Sequence, residues 1–195
     1  MQPSQYNLLI PQGTNWALTL ELTEGSGFRT EGANAGATQI PLTSPLPTAL
    51  SNGDKVNFGG AIATLTAAAA LGSKSLTVSA LPFDLKRVQG YKVLNVTGYT
   101  ALARIYSDFD ESAIATLTVD LTTGPSDGRP ILKLTKTETS ALAATLDPGL
   151  FLTEAEVQSV KEQGSHYLWQ FDLTDTQPNT LRLLEGFVLV SQQGA

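Results

Sequence analysis

In Tyr167-Leu168-Trp169-Gln170-Phe171-Asp172-Leu173, residues Tyr167, Trp169, Phe171 and Leu173 alternate with Leu168, Gln170 and Asp172. A period of two puts one set on a buried face and the other toward water, which is a strand. Leu181 to Val190 follows as the longest apolar run of this kind, and Asp175 to Asn179, with Pro178, joins the two as a hairpin loop. The same period recurs upstream. Trp16, Leu18, Leu20 and Leu22 alternate with Ala17, Thr19 and Glu21, and Glu24-Gly25-Ser26-Gly27 reads as a turn that ends that strand. Tyr99 to Ile105, Ala113 to Val119 and the short Ile131–Leu134 complete the set. Short strands separated by turn clusters predict an all-β antiparallel sandwich or barrel.

Two short helices are expected between strands. Thr135-Lys136-Thr137-Glu138 has the form of a capping box, a hydroxyl followed three residues later by a carboxylate, and predicts a helix carrying Ser140 to Leu146. Thr153-Glu154-Ala155-Glu156 repeats the pattern and leads to a stop at Gly164.

Composition bounds the chemistry. The 195 residues carry 12 Lys+Arg against 18 Asp+Glu, a net charge of −6 and a pI near 4.7. An acidic chain lacks the basic face that sequence-independent nucleic-acid binding requires, so no nucleic-acid partner is expected. Charged residues are 15% against about 25% in an average domain. The 24 threonines take their place, which gives a hydroxyl-rich surface. With no Cys, disulfide scaffolds, thiolate metal sites and thiol nucleophiles are excluded. Nowhere do about 18 apolar residues run together, and Met1 to Gly13 lacks a basic start and a long apolar stretch. Neither a membrane span nor a signal peptide is expected.

Residues 25–90 differ from their surroundings. Gly25 to Ala37 is rich in Gly and Ala and reads as a linker over 25–36. Within 37–87, Gln39-Ile40-Pro41-Leu42-Thr43-Ser44-Pro45-Leu46-Pro47 aligns with Ser75-Leu76-Thr77-Val78-Ser79-Ala80-Leu81-Pro82 if one gap is allowed. Two such arms suggest a small all-β barrel or clip rather than a solenoid, which needs more copies. The expected organisation is a discontinuous sandwich from 1–24 and 91–195, with an insertion at 37–87.

The outer part carries a resemblance. Tyr6-Asn7-Leu8-Leu9-Ile10-Pro11-Gln12-Gly13-Thr14-Asn15-Trp16, Val96-Thr97-Gly98-Tyr99-Thr100-Ala101, Leu132 to Leu142, Tyr167 to Leu173, Arg182 to Gly186 and Val188-Leu189-Val190 occur in this order. They resemble the small immunoglobulin-like β-sandwich of tailed-phage and prophage structural proteins, the type at the N-terminus of the phage baseplate upper protein. Phe58 to Pro82 is similar to segments of phage head-decoration and tail proteins. The resemblance implies an immunoglobulin-like sandwich with a small all-β insertion. It further implies a non-enzymatic virion component, a tail, baseplate or neck adaptor. Such a protein works through contacts with other virion proteins, as a homo-oligomer or in a symmetric assembly, without a cofactor. It would be made in the host cytoplasm and reside in the virion. A carbohydrate- or receptor-binding module of a phage tail, or a head decoration protein, is the alternative.

Candidate sites are few. His166 is the single His, beside Ser165 and six residues before Asp172. Neighbouring strand residues face opposite ways and no G-x-S-x-G elbow exists, so no catalytic residue is expected. Asp108, Asp110 and Glu111 form the densest carboxylate cluster, a weak metal candidate that lacks the calcium-loop pattern and reads as a solvated hairpin tip. Trp16, Tyr167, Trp169 and Phe171 read as core, an exposed sugar platform being the alternative. The apolar arm Leu8-Leu9-Ile10, set between Pro3 and Pro11, is expected to reach a neighbour's sheet edge. Phe58 and Phe83 of the insertion complete the expected partner interface.

Overall fold

A computed structural model describes residues 4–107, 112–122, 124–142, 167–177 and 179–191. In chain order its strands are β1 (Ser4–Gln5), β2 (Leu8–Pro11), β3 (Trp16–Thr19), β4 (Thr23–Arg29), β5 (Gln39–Pro41), β6 (Lys55–Phe58) and β7 (Ala61–Thr64). There follow β8 (Ser75–Thr77), β9 (Gln89–Val93), β10 (Thr100–Tyr106), β11 (Ala115–Asp120), β12 (Ile131–Leu134), β13 (Tyr167–Thr174) and β14 (Thr180–Ser191). Pro125–Asp127 is a 3-10 turn, and α1 (Lys136–Ala141) is the helix among the described residues. The chain divides into two compact units. One comprises the described residues of Met1–Thr19, Gly98–Thr123 and Ile131–Ala195; the other comprises Leu20–Thr97 and Gly124–Pro130. The chain therefore passes between them four times.

The first unit is an all-β sandwich made from one curled sheet of eight strands, ordered β1-β14-β13-β10-β11-β12-β3, with β2 also on β14. The curl follows from chain length. In a flat sheet β2 and β3 would stand six strand spacings apart, about 29 Å. Only residues 12–15 separate Pro11 from Trp16, a reach of no more than about 18 Å. The sheet must fold over, and the Trp16 indole N–H donates to the Leu9 carbonyl at 3.0 Å. Numbered from β2 and omitting the units' other strands, the third, sixth and seventh strands lie side by side, as do the second, fifth and fourth. That is the grouping of a constant-type immunoglobulin sandwich, except that the first strand lies on the last. Trp169, Phe171, Leu173, Ile105, Leu132 and Val188 fill the interior, each 1% exposed or less. The period-two reading of β10, β11 and β13 thus identifies their inward faces.

One expectation for this unit is corrected. The N-terminal arm folds onto its own chain: β1 and β2 pair in parallel with β14, Leu8 with Val188 and Ile10 with Val190. Leu8 and Ile10 are 2% and 0% exposed. Pro11 does not prevent this, because it is the last residue of β2 and the next N–H, that of Gln12, donates to the Ser191 carbonyl at 2.8 Å. The first helix begins where the capping box predicts, with Thr135 and Glu138 bonding reciprocally, and its described part ends at Ala141 with Leu142 extended; the expected remainder to Leu146 lies outside the described residues. Its capped end is held by the 12–15 connection: the Asn15 side-chain Oδ1 accepts from the Lys136 N–H, and the Thr139 hydroxyl donates to the Thr14 backbone carbonyl. The helix expected after Thr153 lies outside the described residues.

The second unit is a closed ring of six strands. β4, β9, β6 and β7 lie in that order. A bridge between Leu65 and Val78 leads from the end of β7 to β8, β8 pairs with β5, and a bridge between Thr30 and Leu42 returns to β4. Phe28, Ile40, Val56, Phe58, Leu65 and Leu76 belong to its core. Gly90 has no side chain because a Cβ there would come within 2.6 Å of the Phe58 ring and 3.0 Å of the Phe28 ring. Those two rings pack edge to face at 6.2 Å.

The ring is two-fold symmetric within one chain. Ile40 pairs with Leu76, and a shift of 76 − 40 = 36 residues carries Gln39–Thr77 onto Ser75–Pro41. The Leu42 N–H bonds the Lys74 carbonyl as Val78 bonds Thr38, and Leu46 bonds Ser73 as Leu81 bonds Ala37. Leu50 exchanges two bonds with Ala69 as Leu85 does with Ala33, after one residue is lost and the shift becomes 85 − 50 = 35. Each half gives a strand to the other: β4 pairs with β9, and β7 with β6. The expected linker 25–36 is therefore largely barrel. β4 runs through Gly25-Ser26-Gly27 with a register shift between Glu24 and Phe28, so this glycine run is an irregularity inside a strand and not a terminating turn. The unit also begins earlier than residue 37, at Leu20, and takes in 124–130.

Candidate functional site

The barrel carries an open cavity of about 270 Å³ at one end. Phe28 on β4, with Leu46 and Leu50 from the loop after β5, supplies an apolar floor whose residues are 2–4% exposed. Pro47, Thr48 and Ala49 form an exposed lip, and Glu24, Gly25, Ser26 and Lys92 the opposite wall. The register shift in β4 produces that wall, because the extra residues leave the ladder between Glu24 and Phe28.

One cation and two carboxylates meet at this wall. The Lys92 ammonium lies 2.7 Å from Glu24 Oε1 and 3.4 Å from Asp54 Oδ2. The hydrogen bond to Glu24 raises the Lys92 pKa, burial opposes it, and the charges of Glu24 and Asp54 add to the rise. Asp54 is held in place by the Ser51 N–H, which donates to Oδ2 at 2.8 Å. The arrangement can grip an apolar group against Phe28, Leu46 and Leu50 while offering net negative charge at its edge.

A second polar cluster serves the barrel's own chain. The Asn57 amide donates to Glu21 Oε2 at 2.8 Å and accepts from the Gly60 N–H at 2.7 Å. Arg129 donates to Glu21 at 3.0 Å and to the Gly60 carbonyl. Lys55 pairs with Asp127 and donates to the Ser126 hydroxyl. These bonds fasten 124–130 to the strands. On the sandwich, Asn15, Trp16, Ala17, Thr118, Lys133, Leu134, Thr135 and Glu138 line a more open hollow of about 390 Å³.

His166, Asp108, Asp110 and Glu111 lie outside the described residues. Among the described residues no three His, Cys, Asp or Glu side chains converge to hold a metal. Of the five expected interface residues, Leu8, Ile10 and Phe58 are core of their own units, which corrects that expectation: each fills its own interior and has no surface to offer. Leu9 is 57% exposed, and Phe83 is half-buried against the barrel core. Trp169 and Phe171 are buried as expected, Trp16 and Tyr167 are half-buried, and Tyr6 is the one aromatic among the exposed large hydrophobics of the described residues. The cavity itself gives no motif. Its only trace in sequence is a difference between the two barrel copies just past the aligned Pro47 and Pro82, where Thr48-Ala49 stands against Phe83-Asp84.

A scan against protein-family models finds no match to this chain, and a search of the curated proteins finds none either.

Proposed function

We propose that the chain is a non-enzymatic structural component of a tailed-phage virion, an adaptor in the tail, baseplate or neck that acts through protein–protein contacts. The observation that carries this reading is the threading of two all-β units through one another. Each unit has its own apolar interior, and the chain passes between them four times. Load placed on one unit reaches the other through four peptide connections instead of a single linker. That suits a part that holds two neighbours together. The low charge and high threonine content leave a surface that is cheap to desolvate against a partner.

The test is composition of the particle. Tailed particles from the source of this sequence are purified by sedimentation, and peptides of this chain are counted against the major shell protein. The expected result is a fixed number of copies per particle. Presence in the lysate with absence from the purified particle overturns the reading.

A further inference from the structure

We propose that the cavity beside Glu24 and Lys92 is a docking site for an aromatic side chain, presented by a partner protein on a segment that carries a basic residue next to it. The inference starts from the internal symmetry of the barrel, which makes its two ends comparable position by position. The two-fold operation sends Leu46 to Leu81, Pro47 to Pro82, Thr48 to Phe83, Ala49 to Asp84 and Leu50 to Leu85. The leucines and prolines are the same in both copies, and the backbone bonds that hold them are the same. The ends differ in what closes them and in their floors, since the same operation sends Phe28 to Ala63.

In the second copy the loop is fastened to the barrel. Phe83 is half-buried against the core, and the Asp84 carboxylate accepts from the Ala35 N–H at 2.8 Å, tying the loop to the opposite strand connection. In the first copy neither device exists. Thr48 replaces the ring, and Ala49 has no group with which to accept a hydrogen bond. The residue equivalent to Ala35 is Leu71, since 35 + 36 = 71, and it is the most exposed large hydrophobic among the described residues at 69%. The Gly72 N–H bonds the Leu46 carbonyl, so Leu71 lies beside the same loop. The first end thus has the Phe28 ring in its floor, neither a ring nor a tether on its lip, and an exposed leucine beside the same loop.

Size and charge say what fits. A cavity of about 270 Å³ is below the usual range for small-molecule sites and suits one large side chain. Phe83 at the symmetric position packs an aromatic ring against the core of the same barrel. Glu24 and Lys92 on the lining balance, and Asp54, off the lining but 3.4 Å from the Lys92 ammonium, leaves one negative charge over nearby, which favours a neighbouring Lys or Arg and disfavours an acidic one. Long-range steering by that charge weakens with salt, whereas the apolar contact does not.

The experiment uses the full chain, labelled with 15N, and three capped tetrapeptides as probes: Gly-Phe-Arg-Gly, Gly-Ala-Arg-Gly and Gly-Phe-Glu-Gly. The Phe-Arg probe is expected to shift the amide signals of Ser26, Thr48, Ala49 and Leu50 saturably, while the Ala-Arg probe does not. The Phe-Glu probe should bind about tenfold more weakly than Phe-Arg. Thr48→Phe, which installs the ring found at Phe83, should keep the parent's circular dichroism and lose the Phe-Arg shifts. Glu24→Gln should keep binding of Phe-Arg and lose most of the preference over Phe-Glu. Equal shifts from the Ala probe, undiminished shifts in a folded Thr48→Phe chain, or no saturable shift at these residues overturns the proposal. If Thr48→Phe does not fold, the comparison of the three probes and Glu24→Gln on the parent chain decides it.

Discussion

Gly186 is bare because the Tyr6 carbonyl occupies the place of its side chain, and a Cβ would stand inside that oxygen's contact distance. The same carbonyl accepts from the buried Trp169 indole N–H at 2.6 Å, and the Tyr6 ring packs edge-on to Trp169 at 6.5 Å. Gly186→Ala should therefore push the arm away and leave that indole N–H without a partner. The expected cost is about 1–3 kcal/mol, read as a lower urea midpoint with altered tryptophan fluorescence; an unchanged midpoint would contradict it. A second effect sits at Thr135 and Glu138. Thr135→Ala should cost about 1 kcal/mol by removing the helix cap. The Glu138 carboxyl is held below its ordinary value by the Thr135 N–H and then by the Thr135 hydroxyl, with burial opposing. A depressed folded value contributes stability above the unfolded value, near 4.3, and loses it as the pH falls through the folded one. The parent should thus exceed Glu138→Leu in stability at pH 7, and that part of the margin should vanish in acid. A margin independent of pH would show that the carboxylate is not the stabilising form.

At the scale of elements, the parallel pairing of the arm with β14 is the least expected feature. Deleting residues 1–11 removes Leu8 and Ile10 from the core, and at about 1.5–3 kcal/mol each that is roughly 3–6 kcal/mol, an upper range because denatured chains are partly compact. It also opens the edge of β14. The truncated chain should unfold at much lower denaturant while its number of copies per particle in sedimentation stays that of the parent; a loss of assembly without loss of stability would restore the arm as an intermolecular element. Period two made β3 and β10 to β14 legible, because their inward residues meet one interior. The arm was not legible, since three apolar residues set between Pro3 and Pro11 carry no sign of which partner strand they join. Gly25-Ser26-Gly27 misled for a related reason: a glycine run serves a bulge as well as a turn, and only the strand across from it decides.

For the whole molecule, the division into units sets what can be removed. Cutting 37–85 takes away β5 to β8 and leaves β4 and β9 as remnants of an open ring, with Phe28 uncovered. Removing 20–97 together with 124–130, with short Gly-Ser joints, leaves all eight strands of the curled sheet. The first variant should bind a hydrophobic dye and precipitate; the second should melt cooperatively. The reverse result would mean that the barrel boundary lies near 37 after all. Sequence revealed half of this organisation. The repeat of 39–47 in 75–82 was visible because its leucines must meet the same interior twice. The flanking strands β4 and β7 were hidden, because each pairs across to the other copy and so has no local pattern in common with its twin. The candidate cavity was invisible for the opposite reason: it is a place where two related segments stopped matching.

The parallel seat of β2 on β14 also imposes an order in time. Ile10 pairs with Val190, so 190 − 10 = 180 residues must be made after Ile10 before its partner exists. At about 5–20 residues per second, that is on the order of ten seconds or more on the ribosome. For that interval Leu8, Leu9 and Ile10 are an apolar segment with unpaired backbone, open to chaperones and to other nascent copies. The barrel completes sooner, since its last strand ends at Val93. Synthesis from separated polysomes, or slowed translation of the final strand, should therefore change the yield of soluble protein more than any change to the barrel's own codons.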